Sequence, residues 1–161
     1  MKTKLLFLFF IFLVYPKEGV TQSLDSCFSN YSTKIESLQS KPSIHFLEGT
    51  EKFRTTIKSA YQSGVNFAGH YVIASWGCGT ACQSHAIINL KNGEARFLPF
   101  STVLGIEYRA ESNLLIRDFG ILSEEYKDDS LYNHLEAEYY VMREDSLHLV
   151  NKVEDFKNCL N

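Results

Sequence analysis

No basic run interrupts this 161-residue chain, which carries 16 lysines and arginines against 19 aspartates and glutamates. Without such a run there is no electrostatic reason for it to bind nucleic acid or anionic lipid. Apolar runs are short as well. The longest, Leu5 to Tyr15, has eleven residues, about half of the ~20 needed to cross the hydrocarbon of a bilayer. A Gly-x-Ser-x-Gly elbow and a glycine-rich phosphate loop are both missing, which removes two common signatures of hydrolases and nucleotide-binding enzymes. Carboxylates at hydrolytic spacing are missing too. Glu124-Glu125 and Asp128-Asp129 are consecutive, so such pairs would face opposite ways in a strand, and this acidic stretch reads as a solvated loop. No internal repeat or low-complexity linker divides the chain.

What is present begins with a targeting segment. Lys2 and Lys4 precede the apolar run, Pro16 ends it, and small or polar residues follow through Gln22. This is the layout of a cleavable secretory signal peptide. Residues 1–21 are therefore expected to be removed, leaving 22–161 as a single exported domain, periplasmic or secreted, with no integral membrane segment. Loss of Lys2, Lys4, Lys17 and Glu18 leaves 13 basic and 18 acidic residues, a charge of −5. About 140 residues suffice to bury a real core.

Four cysteines remain after cleavage: Cys27, Cys78, Cys82 and Cys159. An exported chain meets an oxidising environment, where such cysteines pair. The economical arrangement joins Cys78 to Cys82 and Cys27 to Cys159. In the chain-entropy account the first bond stabilises by about 2 kcal/mol and the second by about 4–5 kcal/mol.

Residues 24–40 place Leu24, Cys27, Phe28, Tyr31, Ile35 and Leu38 at helical spacing, and Lys41-Pro42 stops the segment. A short extended piece at 43–47 follows. Thr50 is placed to cap a second helix with an apolar stripe of Phe53, Ile57, Ala60 and Tyr61, ended by Gly64. From residue 68 the period shifts to strands, read at 69–76, 84–90, 94–98, 104–109, 113–118, 138–143 and 146–151. Asn92-Gly93 is the strongest hairpin turn signal in the chain, and Arg143 to Ser146 reads as another tight turn. The fold class is α+β: N-terminal helices on a mostly antiparallel, meander-like sheet of about six or seven strands. A closed barrel or a propeller-like fragment is the alternative.

Asn66 to Cys82, NFAGHYVIASWGCGTAC, concentrates a histidine, the single tryptophan, three glycines and two cysteines in seventeen residues. If Cys78 and Cys82 face each other across a hairpin, Trp76 faces Ser84, Ala74 faces Ala86, Val72 faces Ile88 and His70 faces Leu90, all on one surface. Tyr71, Ile73 and Ser75 then share the other surface with His85, Ile87 and Asn89. The first surface is the better core candidate. Gly77 and Gly79 disfavour a helical reading of Cys-x-x-x-Cys.

The segment NFAGHYVIASWGCGTACQSHAIINLKNGEA resembles the signature of an uncharacterised family of exported bacterial proteins, which has no assigned activity. IEYRAESNLLI and the Tyr139-Tyr140 strand followed by SLHLV are similar to its continuation, so the resemblance spans about residues 44–151. Asn89 departs from the aspartate expected before the turn, as does the acidic insert at 123–137. The resemblance implies export and an intact fold, and it supplies no catalytic residue.

Two functional classes fit these residues. In the first, a disulfide-stiffened hairpin is a binding or inhibitory module that presents Trp76, Tyr71, His70 and His85 to a protein or cell-envelope ligand. In the second, a thiol- or histidine-dependent enzyme uses Cys78 with His85 or His70. Eight residues of strand separate His70 from Cys78 by more than about 20 Å, and His85 falls on the opposite surface, so the balance is against an enzyme. Cys78, Cys82 and His85 lack a fourth ligand for tetrahedral zinc. No metal or other cofactor is expected.

Overall fold

The computed structural model describes residues 19–150 apart from 124, 127 and 128, with side chains from Leu24 onward. In chain order the elements are α1 (Gly19–Asn30), β1 (His45–Phe46), a 3-10 turn (Thr50–Phe53) running into α2 (Arg54–Ser63), β2 (Tyr71–Gly79), β3 (Cys82–Asn89) and β4 (Glu94–Thr102). There follow β5 (Ile106–Tyr108), β6 (Leu114–Arg117), a 3-10 turn (Phe119–Leu122), β7 (Glu138–Arg143) and β8 (Ser146–Leu149). The class is α+β and the pairing mostly antiparallel; among the described residues only β1–β4 is parallel.

The single sheet read from the sequence is in fact two four-stranded sheets, ordered β1-β4-β3-β2 and β5-β6-β7-β8. The physical reason lies in which faces are apolar. Val72, Ala74, Ala86 and Ile88 pack against Ile57 and Tyr61 of α2. On the other face of the same strands, Tyr71, Ile73 and Ile87 pack against Leu115 and Met142 of the second sheet. Leu114, Ile116, Tyr139 and Val141 then turn outward onto Cys27 and Phe28 of α1. The layers therefore run α2, first sheet, second sheet, α1. The first surface is core, as read, and the second surface of β2 and β3 is buried as well. Each fully buried Val, Ile or Leu in these layers contributes about 1.5–3 kcal/mol.

The first helix differs from its reading at both ends. It starts at Gly19, upstream of the expected cleavage point, and stops at Asn30 rather than continuing to residue 40. Beyond it, tertiary partners satisfy the backbone. Thr33 N–H donates to the Glu111 carbonyl at 2.8 Å and Glu36 N–H to the Gly69 carbonyl at 2.9 Å. Ile35, assigned to the apolar stripe, is 48% exposed. Thr50 does not cap α2. Its buried hydroxyl lies 2.7 Å from the Leu47 carbonyl and 3.1 Å from that of Ala95. Gly64 ends the helix as read.

Asn92-Gly93 lies in the turn between paired strands, as read. Ile88 pairs with Ala95 and Gly93 N–H closes onto the Asn89 carbonyl at 2.8 Å, so the loop spans residues 90–93. Gly93 takes φ +80°, and a Cβ there would run into the Ser43 carbonyl. Arg143 pairs with Ser146 around Glu144 and Asp145, both at positive φ. That is the tight turn read from the sequence. Residues 1–18 of the expected leader and Cys159 lie outside the described residues, while Cys27 is buried in α1. Among the described residues no helix is long and apolar enough to cross a membrane.

Candidate functional site at the hairpin tip

The β2–β3 hairpin has the register that a Cys78–Cys82 bond demands. Val72 pairs with Ile88, Ala74 with Ala86, Ser75 with His85 and Trp76 with Ser84. A bulge between Gly77 and Gly79 then brings Gly79 opposite Cys82. Cys78 and Cys82 are disulfide-bonded with their Cα atoms 5.1 Å apart, an ordinary span for such a bond. The staple closes a solvent-facing tip: Cys78, Gly79, Thr80 and Ala81 are exposed.

Beside the tip lies an open cleft of about 440 Å³ lined by Ser75, Trp76, Gly77, Cys82, Gln83 and Val103, among others. Trp76 borders it from a half-buried position, while its ring turns to the α2 face of the sheet and stacks on Phe53 with centroids 4.2 Å apart. Phe97 stands 6.1 Å away. The tryptophan is thus anchored in the α2-side core as well as bordering the cleft. Its indole N–H is buried without a hydrogen-bond acceptor among the described residues, an uncommon state for a strong donor.

β2 is the outer strand of its sheet, and its free edge is covered along half its length. Phe67 exchanges backbone hydrogen bonds with Tyr71. The Asn66 side chain then does for Ile73 what a neighbouring strand would: its Oδ1 accepts the Ile73 N–H at 2.7 Å and its Nδ2 donates to the Ile73 carbonyl at 3.0 Å. In antiparallel pairing the outward-facing residues alternate, so Ser75 and Gly77 are next in this series. No hydrogen bond to their outward backbone groups is found among the described residues.

His85 sits on the inner face, only 1% exposed. Its Nδ1 is 2.8 Å from Ser75 Oγ and its Nε2 2.9 Å from Thr102 Oγ1. Burial pushes its pKa down to about 4, against a smaller opposing pull from Asp118. The ring is therefore neutral at physiological pH. A Ser–His pair invites a nucleophile-and-base reading, but an imidazole of that acidity is a weak base near neutrality. His85 cross-links β2, β3 and β4 from within, and it stands on the face opposite Trp76. Cys78 has no thiol to pair with it, its sulfur being bonded to Cys82.

His70 and Tyr71 lie at the other end of the hairpin. His70 Nδ1 is 3.1 Å from Glu36, which also holds Lys91 at 2.8 Å. Burial first, and then the Lys91 charge, hold the His70 pKa below its ordinary value. Tyr71 is 2% exposed and its hydroxyl donates to Asp145 of the β7–β8 turn. Burial and that carboxylate raise its pKa far above the usual phenol range. The four aromatic and imidazole residues singled out in the sequence therefore do not converge. Only Trp76 borders the cleft. Among the described residues, no cluster of three His, Cys, Asp or Glu is placed to hold a metal ion.

Asn66, Ser75, Gln83 and Val103 escaped the sequence reading. Ser75 had a usable signal, because once the hairpin register is set, the alternation of outward groups identifies Ile73, Ser75 and Gly77. Val103 comes from the β4–β5 connection, which no local pattern ties to the tip. The chain matches no protein-family model, no curated protein and no solved structure.

Proposed function

We propose that this protein is an exported recognition module whose binding surface is the stapled hairpin tip, its cleft and the adjoining free edge of β2. The observation that carries this reading is the junction of a rigid, solvent-facing tip with an open cleft bordered by Gln83 and Val103, next to an anchored Trp76 whose indole N–H has no acceptor among the described residues. Rigid aromatic anchors lose little entropy on binding and favour such a role. Export is supported by the apolar run at 5–15 with its basic start, and an oxidised Cys78–Cys82 pair suits an oxidising compartment. The ligand is a protein or another component of the cell envelope.

A photo-reactive benzophenone side chain placed at Gln83, in the full chain produced with its own leader, tests this reading. A discrete adduct is expected from Gln83 and not from exposed Leu131. The adduct should weaken in the Cys78→Ser/Cys82→Ser variant. No adduct at Gln83, or identical adducts from both positions, contradicts the proposal.

A further inference from the structure

Resting on that reading, we propose that the partner is engaged by strand addition: an extended, uncharged polypeptide segment of another protein pairs with the free edge of β2 at Ser75 and Gly77. The fold has already shown that this edge accepts a strand-like partner, since the Asn66 amide occupies both outward groups of Ile73. The occupied positions stop there. Ser75 and Gly77 each present one N–H and one carbonyl further along the same edge, the hydrogen-bonding pattern that an added strand completes.

Side chains of an added strand alternate between the two faces of the sheet, and a cleft waits on each face. One is the tip cleft, with Gln83 and Val103. The other, of about 470 Å³, lies between β2 and α2 and is lined by Thr55, Thr56, Ser59, Ser63 and Ser75, among others. Ser75 borders both. Among the described residues neither cleft is lined by an ionisable side chain. A charged residue entering either would give up hydration with no counter-charge to meet it, which selects an uncharged segment. The hydroxyl-rich wall on the α2 side suits small polar side chains, and the Gln83–Val103 side admits larger uncharged ones. A second copy of this chain fits less well. Antiparallel pairing through the same edge would bring its stapled tip against the Asn66 segment, and the short open stretch offers far less than the about 1,200 Å² of a stable interface.

The test uses the whole exported domain and a displayed library of random dodecapeptides. Recovered peptides are expected to share an uncharged window of about five residues and to slow amide exchange at Ser75 and Gly77. Gly77→Pro removes an outward N–H on an edge strand, where proline is tolerated, and should weaken binding by roughly tenfold or more with thermal stability retained. Ser75→Pro is the second variant, compared with Ser75→Ala so that loss of the Ser75–His85 contact is separated from loss of the outward N–H. N-methylating alternate amides of a recovered peptide should abolish binding in one phase of the alternation only. Equal affinity for wild type and both proline variants overturns strand addition. So does a concentration-dependent dimer that Gly77→Pro dissolves, since the occupant is then a second copy. No tip-binding peptide, alongside a discrete Gln83 adduct in the envelope, overturns strand addition alone; absence of both overturns the recognition reading as well.

Discussion

His85 shows how a single residue can be read in two ways. Beside Cys78 in sequence it suggests a base, yet in the fold it is a neutral strut between Ser75 and Thr102. That role has a pH signature. The folded value is near 4 and the ordinary value 6.5, so between them the unfolded chain binds a proton that the folded chain refuses. The resulting stability is fully present above 6.5 and is lost as pH falls through 4, by an amount on the order of 3 kcal/mol. Urea unfolding from pH 7 to pH 4 should show this slope in the wild type and a shallower one in His85→Gln. Parallel curves contradict the assignment. The histidine was visible in the sequence, but its partners were not, because Thr102 reaches it only after β4 has shifted register across a bulge.

At the scale of elements, the hairpin was the most legible part of the fold. Two cysteines four residues apart fix a register, and each pair from Tyr71–Asn89 to Gly77–Gln83 follows from it. Cys78→Ser and Cys82→Ser should therefore cost the same, about 2 kcal/mol each, measured by chemical denaturation under oxidising conditions. Unequal losses would mean that one sulfur has a further role. The NFAGHY stretch was less legible. It is not an extension of the strand but a turn that docks on two distant segments: Gly69 N–H donates to the Ala110 carbonyl at 2.8 Å, and the Gly69 carbonyl accepts from Glu36. Gly69 has φ +77°, and a Cβ would come within 2.5 Å of the Lys34 carbonyl. Gly69→Ala should destabilise by about 2 kcal/mol or more, while Gly77→Ala, with open space around its Cβ position, should be nearly silent. Helix α1 was misjudged for a related reason. Helical spacing at Ile35 and Leu38 could not reveal that residues 109–113 and Gly69 compete for the same backbone.

For the whole molecule, strand positions were legible and their grouping was not. Alternation along a strand reports which residues share a face, but it does not say what covers that face. Leu114, Leu115 and Ile116 are all fully buried because α1 covers one side of β6 and the first sheet covers the other. Stacking two sheets between two helices leaves β2 as an outer strand. Its edge is satisfied as far as Ile73 and open beyond it, next to the stapled tip.

Hydrogen exchange of the free domain, read amide by amide by NMR, tests this open edge most directly. Trp76, whose N–H points toward β3 in the hairpin register, and Ile73, held by Asn66, should be protected. Ser75 and Gly77 should exchange close to the rate of an unstructured chain. Slow exchange at Ser75 and Gly77 in the free monomer would mean that the edge is already covered, and would contradict the account.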